Sequence, residues 1–178
     1  VTNPPLDGIR EELITDISMA IGTDYNLFEV NAQHCRKLRI KNPIISKEDL
    51  EEIKTYDNPN FQSETISILY DVKQGLNGLE DALEAMIDKV EVAVDKGAQI
   101  IILSDRGTSA DLAPIPALLA TSYVHHSLQR RGKRSLFSII LESAEPREVH
   151  HFAVLFGYGA SAINPYMVNE IIEERVKM

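Results

Sequence analysis

The sequence predicts an α/β fold, a parallel sheet of about four strands with flanking helices. Four short runs, at residues 65–70, 99–104, 136–142 and 160–164, are rich in Ile, Leu, Val or Phe. A longer segment of helical pattern follows each. Their starts lie roughly 25 to 36 residues apart, the length of a strand, a crossover helix and two loops. This repeat reads as βαβαβαβα over residues 64–178, with a parallel sheet between helices.

The elements follow in order. Residues 1–63 form a loop-rich extension with two helical stretches, near 5–21 and 46–56, joined by an aperiodic connector at 26–43. Ser46 followed by Asp49 is a weak capping box for the second stretch. So little core in the extension implies that it packs on the sheet. The helix after the first run is the clearest, because Leu79, Ala82, Leu83, Met86, Ile87, Val90, Ala93 and Val94 keep to one stripe. Glu80 and Asp81 suit its first turn, and Gly97 suits a left-handed cap at its end. The next helix, 116–131, is apolar around most of its circumference from Ile115 to Val124, so something beyond the sheet should cover it. Candidates are the N-terminal region, a second copy or further protein. Pro146 is expected at the first position of the third helix, with Val149, Phe152, Ala153 and Phe156 inward. Gly157 and Gly159 end that helix, and Pro165 opens a final amphipathic one.

Composition narrows the class. The chain has 178 residues, a net charge of −9 and a pI near 5.0. Such acidity argues against nucleic acid as a partner, and Arg36, Lys37, Arg39 and Lys41 read as a solvated surface cluster. No stretch is apolar enough to span a bilayer, and no signal peptide is visible. One cysteine, Cys35, forms no disulfide framework and holds no zinc or iron-sulfur cluster by itself. A cytoplasmic location is expected. The opening at Val1 suggests a piece of a longer chain.

Four constellations carry possible chemistry. Ser104, Asp105 and Arg106 end the Ile-Ile-Ile-Leu run, where open α/β sheets bind ligands. With no general base or nucleophile beside them, they read first as a structural anchor. Glu142, Glu145, Arg147, Glu148, His150 and His151 follow the next strand on the same edge, so charge pairing between the two loops is expected. Glu148 and His151 have the i, i+3 spacing of two metal ligands, but such sites need further carboxylates. The dipeptides His125-His126 and His150-His151 cannot each clamp one ion, since adjacent helical residues diverge. One histidine of each should face inward. Gly157-Tyr158-Gly159-Ala160 closes a helix before a strand, the reverse of a phosphate loop.

Several segments, in order, are similar to one family. They are Thr2-Asn-Pro-Pro-Leu-Asp-Gly-Ile-Arg-Glu-Glu12, His34-Cys-Arg-Lys-Leu-Arg39, Leu103-Ser-Asp-Arg106, Pro114-Ile-Pro-Ala-Leu-Leu-Ala120 with His125-His126, Arg147-Glu-Val-His-His-Phe-Ala153, and Gly157-Tyr-Gly-Ala160 with Ile163-Asn164-Pro165-Tyr166. Together they resemble the central domain of the glutamate synthase large subunit. The resemblance implies a rudimentary relative of an FMN-binding β/α barrel that joins a glutamine amidotransferase domain to an FMN synthase domain and contributes to an ammonia path. It also implies that FMN and the iron-sulfur cluster belong to the parent enzyme, with no cofactor in this segment. Cys35 matches the central-domain segment and not the amidotransferase nucleophile, so no catalytic residue is carried over.

Two functional classes follow. The first is a non-catalytic connecting domain in which Ser104, Asp105, Arg106, Glu142, Arg147, Glu148, His150, His151 and Asn164 are structural or interface residues. The second is an independent small α/β enzyme using Asp105, Arg106, Glu142 and His150 or His151. The enzyme needs an enclosed pocket at the edge and at least one strongly perturbed pKa, whereas the connector predicts an edge filled by Asp-Arg and Arg-Glu pairs. Four strands do not close a barrel, so free edges leave room for a homo-oligomer.

Overall fold

The computed structural model describes residues 15–26 and 28–177, apart from the side chain of Leu76. Its centre is a parallel sheet of β3 (Ser63–Ser67), β5 (Ile100–Ser104), β7 (Ser138–Glu142) and β8 (Ala160–Asn164), paired in that order and left open among the described residues. Before it come a hairpin-like pair, β1 (Met19–Ile21) and β2 (Leu38–Ile40), and the helix α1 (Lys47–Thr55). A second small antiparallel pair joins β4 (Leu69–Asp71) to β6 (Leu112–Pro114). The crossover helices are α2 (Gly78–Asp95), α3 (Ala117–Arg130) and α4 (Val149–Gly157), with α5 (Tyr166–Val176) last.

Alternation along the strands gives the sheet two apolar faces. Ile66, Ile101, Leu103, Ile139, Leu141 and Ile163 pack against α2, α3 and α4. Ile100, Ile102, Ile140 and Ala162 face the other way and meet Ile21, Ile45, Leu50 and Ile53 from the N-terminal segment. That segment is therefore the layer that dries the second face. A bulge between Ile139 and Ile140 keeps Ala162 and Ile163 in phase with this division.

Sequence features account for most boundaries. Ser46 and Asp49 form a complete capping box at the start of α1, each side chain reaching the other's backbone N–H. Glu80 and Asp81 lie in the first turn of α2, and Gly97 takes φ +102 just past its end.

Several expectations change. The run 65–70 is broken, because Ile68 leaves the sheet: its N–H donates to Ser104 and its carbonyl accepts from Ile115, turning the chain into β4. The run 136–142 begins with a 3-10 turn at Arg134–Leu136, so its strand starts at Ser138. The connector 26–43 contains β2 and the turn Ala32–Cys35. Of the helix expected at 5–21, residues 5–14 lie outside the described residues, 15–18 form no regular element, and Met19–Ile21 is a strand. The third helix starts at Val149, not Pro146, because residues 143–145 are engaged by side-chain bonds at the sheet edge. Its inward stripe shifts to Phe152, Leu155 and Phe156, leaving Val149 84 % exposed and Ala153 at the surface. The apolar helix α3 buries Ala117, Ala120, Val124 and Leu128, while Leu118 and Leu119 stay partly open. The described part of the N-terminal segment, from residue 15 onward, packs its apolar residues on the opposite face of the sheet.

At the amino edge, Arg134 donates to the carbonyls of Phe137 and Gly159 and, through Nε, to Nδ1 of His125. Gly159 has φ +112, and a Cβ there would come within 2.3 Å of His125 Nδ1. Gly159→Ala is thus expected to lower stability by more than ~1 kcal/mol in chemical denaturation, whereas Gly132→Ala, at φ +71 with open space around it, costs less.

Candidate functional site

Parallel pairing brings the strand ends into one row. Ser67 stands opposite Ser104, Ser104 opposite Glu142, and Glu142 opposite Asn164. In-register neighbours share a face, so this row crowns the layer covered by α1. Asp105 and Arg106 follow immediately on the loop.

Glu142 is the centre of the row and is 3 % exposed. Its Oε1 accepts from Arg106 Nε at 2.7 Å, and its Oε2 accepts from Ser104 Oγ at 2.8 Å and from Lys54 Nζ at 3.2 Å. Burial alone pushes the carboxyl pKa up. The bonds from Arg106, Ser104 and Lys54 outweigh it and hold the carboxyl below the usual range. Burial also works against the Arg106 cation, and its pairing with Glu142 more than compensates.

Asp105, 2 % exposed, is equally engaged. Its Oδ2 accepts from Ser143 Oγ at 2.7 Å and from the Ala144 N–H at 2.9 Å, and its Oδ1 accepts from the Tyr166 hydroxyl at 2.7 Å. Burial and that bond to Asp105 raise the Tyr166 pKa. The Arg106 guanidinium lies 3.9 Å above the Tyr166 ring and 3.5 Å from Glu170. Glu145 accepts from the Ala117 N–H at 3.0 Å, placing a carboxylate at the start of α3 where the helix dipole favours it. Asn164 donates to the Ile45 carbonyl, while its Oδ1 has no partner among the described residues.

The structure thus brings Ser104, Asp105, Arg106, Glu142 and Asn164 together and leaves the rest of the expected group aside. Glu148 pairs with His151 at 3.2 Å, and His151 Nδ1 accepts from the Arg147 N–H, all near solvent. Both His150 and His151 are exposed, contrary to the expected inward member. They border an open groove of about 240 Å³ between α3 and α4. For the other dipeptide the expectation holds: His125 is half-buried and His126 exposed. Burial, Arg134 and His126 lower the His125 pKa. Lys54, Ser143, Tyr166 and Glu170 were not singled out by the sequence. Tyr166 had a signal, since it completes the Asn-Pro-Tyr end of the last strand, but Lys54 lies in an ordinary amphipathic helix.

A phosphate or flavin phosphate at this edge would need free N–H donors. The amides of Ala117 and Ala144 point at Glu145 and Asp105 instead. Those two amides are therefore not available to such a group. Cys35, exposed and alone, does not supply a cluster's ligands. No helix among the described residues is long and apolar enough to cross a membrane.

These features define a class first: an open parallel α/β sheet domain whose buried edge carboxylates, Asp105 and Glu142, are satisfied from within the domain. The chain belongs to the glutamate synthase central domain family, whose sequence profile matches residues 1–178. It is 40 % identical over 176 residues to the glutamate synthase (NADPH) large chain of Bacillus subtilis, covering 99 % of this chain and 11 % of that protein. Ferredoxin-dependent glutamate synthase 2 of Synechocystis is 40 % identical over 178 residues, covering 98 % and 11 %. The glutamate synthase (NADH) of Schizosaccharomyces pombe is 36 % identical over 179 residues, covering 99 % and 8 %. The chain thus spans about a tenth of the length of these relatives.

Removing the Glu142 charge should be costly. Breaking a wholly buried pair costs ~3–5 kcal/mol, and partial access of water to Arg106 and Lys54 reduces this, so Glu142→Gln is expected to lose about 2 kcal/mol. Because the folded pKa lies below the ordinary value of 4.5, this stability is fully present above that pH and lost as pH falls through the folded value. Urea titrations at several pH values should give a constant gap between the parent chain and Glu142→Gln above pH 4.5 and a shrinking gap below it.

Proposed function

We propose that the chain is the non-catalytic connecting domain of a glutamate synthase, joining the glutamine amidotransferase and FMN synthase domains of one polypeptide and shaping the ammonia path between them. The parent reaction is the reductive transfer of the glutamine amide nitrogen to 2-oxoglutarate, giving glutamate. FMN and the iron-sulfur cluster belong to the neighbouring domains, and the setting is the cytoplasm. The observation that carries this reading is the saturation of the carboxyl edge. Both oxygens of Asp105 and both of Glu142 already accept hydrogen bonds, so neither is left to act as a base or to grip a substrate. Ser104, Asp105, Arg106, Glu142 and Asn164 serve here as an anchor for strand ends and loops. Arg147, Glu148, His150 and His151 lie on exposed ground suited to contact with another domain. Relatives named for NADPH, NADH and ferredoxin align over nearly the same length of this chain. The domain's role is accordingly independent of the reductant.

An independent enzyme would instead need a cavity at the edge. A groove of about 980 Å³ borders the free side of β3 and includes none of Asp105, Arg106 and Glu142, and an open one of about 400 Å³, lined by Arg106, Tyr166 and Glu170 with residues 44–48, reaches the edge without Asp105 or Glu142.

The flanking reading frame tests the proposal first: an amidotransferase upstream and an FMN domain downstream are expected, and an open reading frame ending at both borders of this segment overturns it. The purified chain should be colourless and show neither glutaminase nor synthase activity. FMN retained in equal molar amount would contradict the assignment of flavin to the neighbouring domain.

A further inference from the structure

Charges of alternating sign cross the carboxyl edge in an unbroken chain. Glu51 of α1 pairs with Lys54 at 3.0 Å, Lys54 with Glu142 at 3.2 Å, Glu142 with Arg106 at 2.7 Å, and Arg106 with Glu170 of α5 at 3.5 Å. The first helix and the last described helix, more than 100 positions apart in sequence, thus meet through one buried carboxylate and one guanidinium. The final helix depends on that meeting. Helix α5 buries no residue, and Met167, Ile171, Ile172 and Val176 stay exposed. Its polar side-chain contacts with the rest of the described chain lie in its N-terminal half, where Tyr166 donates to Asp105, Arg106 stacks on the Tyr166 ring, and Glu170 pairs with Arg106.

We propose that Glu142 and Arg106 form a conformational relay, in which the position of α1 on one face of the sheet sets how firmly α5 is held at its edge. Arg106 divides its charge between Glu142 and Glu170. While Lys54 neutralises one oxygen of Glu142, Arg106 is free to serve Glu170 and to lie on the Tyr166 ring. When Lys54 is withdrawn, Glu142 is left with a single cation and draws Arg106 inward, so the grip on α5 loosens. The coupling is reciprocal and of one sign: when α5 lets go of Arg106, the guanidinium serves Glu142 alone, Glu142 depends less on Lys54, and α1 is held less firmly. Its biological use rests on the connecting-domain reading: a domain docked near α1 and another docked near α5 would each sense the other through two side chains.

Hydrogen exchange on the 178-residue chain tests the relay without any flanking domain, so its outcome is separate from that of the connecting-domain assignment. Lys54→Met keeps the apolar stem on α1 and removes only the cation. It is expected to speed exchange of the α5 amides about fivefold while leaving those of α2 unchanged. Lys133→Met removes a cation that pairs with Glu91 and Asp95, outside the relay, and is expected to leave α5 unchanged. The reverse variant, Glu170→Gln, is expected to speed exchange of the α1 amides by a similar factor and keeps the test open should Lys54→Met fold poorly. Unaltered α5 exchange in a folded Lys54→Met, unaltered α1 exchange in Glu170→Gln, or an equal effect from Lys133→Met overturns the relay.

Discussion

Two carboxylates buried side by side at the end of a parallel sheet must be given partners, and much of this domain is arranged to provide them. Unpaired, Asp105 and Glu142 would each carry a desolvation penalty that no nearby apolar contact could offset. Their partners come from four separate parts of the chain: Lys54 on α1, Ser104 and Arg106 at the end of β5, Ser143 and Ala144 after β7, and Tyr166 at the start of α5. Satisfying two charges thereby fixes the arrangement of both sheet faces, two loops and the last helix. Low exposure strengthens each of these bonds, so the cluster orders its surroundings more than a surface network would.

This constraint also explains why the N-terminal segment cannot be treated as an appendage. Leu50 and Ile53 dry the second face of the sheet, and Lys54, one position further, reaches the carboxylate at its rim. The apolar layer and the ion pair place α1 jointly. An open sheet of four strands with one bare apolar face would be poorly stable in water. The segment supplies that missing layer in place of further strands.

The fold was legible in the sequence where local pattern and tertiary role coincide. The stripe from Leu79 to Val94 is both a helical period and the face that packs on the sheet, so α2 could be read closely. The runs ending at Ser104 and Asn164 are buried on both sides and read as continuous apolar strands. Legibility failed where a distant bond overrides local preference. Ile68 has the composition of a strand residue, but its backbone bonds to Ser104 and Ile115 pull it out of the sheet. Pro146 is an ordinary helix opener, yet the bonds from Ser143 and Ala144 to Asp105 hold that loop extended for several more residues. The site shows the same division. Ser104, Asp105, Arg106 and Glu142 could be found because strand ends converge on one edge, whereas Lys54 could not, since only the docking of α1 carries its ammonium there. Sequence nearness to Glu142 likewise misplaced His150 and His151, which the start of α4 turns toward solvent.

A saturated edge is consistent with a domain whose task is to hold other parts in place, and the state of Glu142 decides whether the edge is saturated. The most direct measurement is the carboxyl-carbon NMR titration of Glu142 in the folded chain. The account predicts that its midpoint lies below pH 4.5, where a solvated glutamate is half protonated, so that more than half of the Glu142 carboxyl is ionised there. A midpoint at or above that value would mean a carboxyl not held by Arg106 and Lys54, available for chemistry, and would contradict the account.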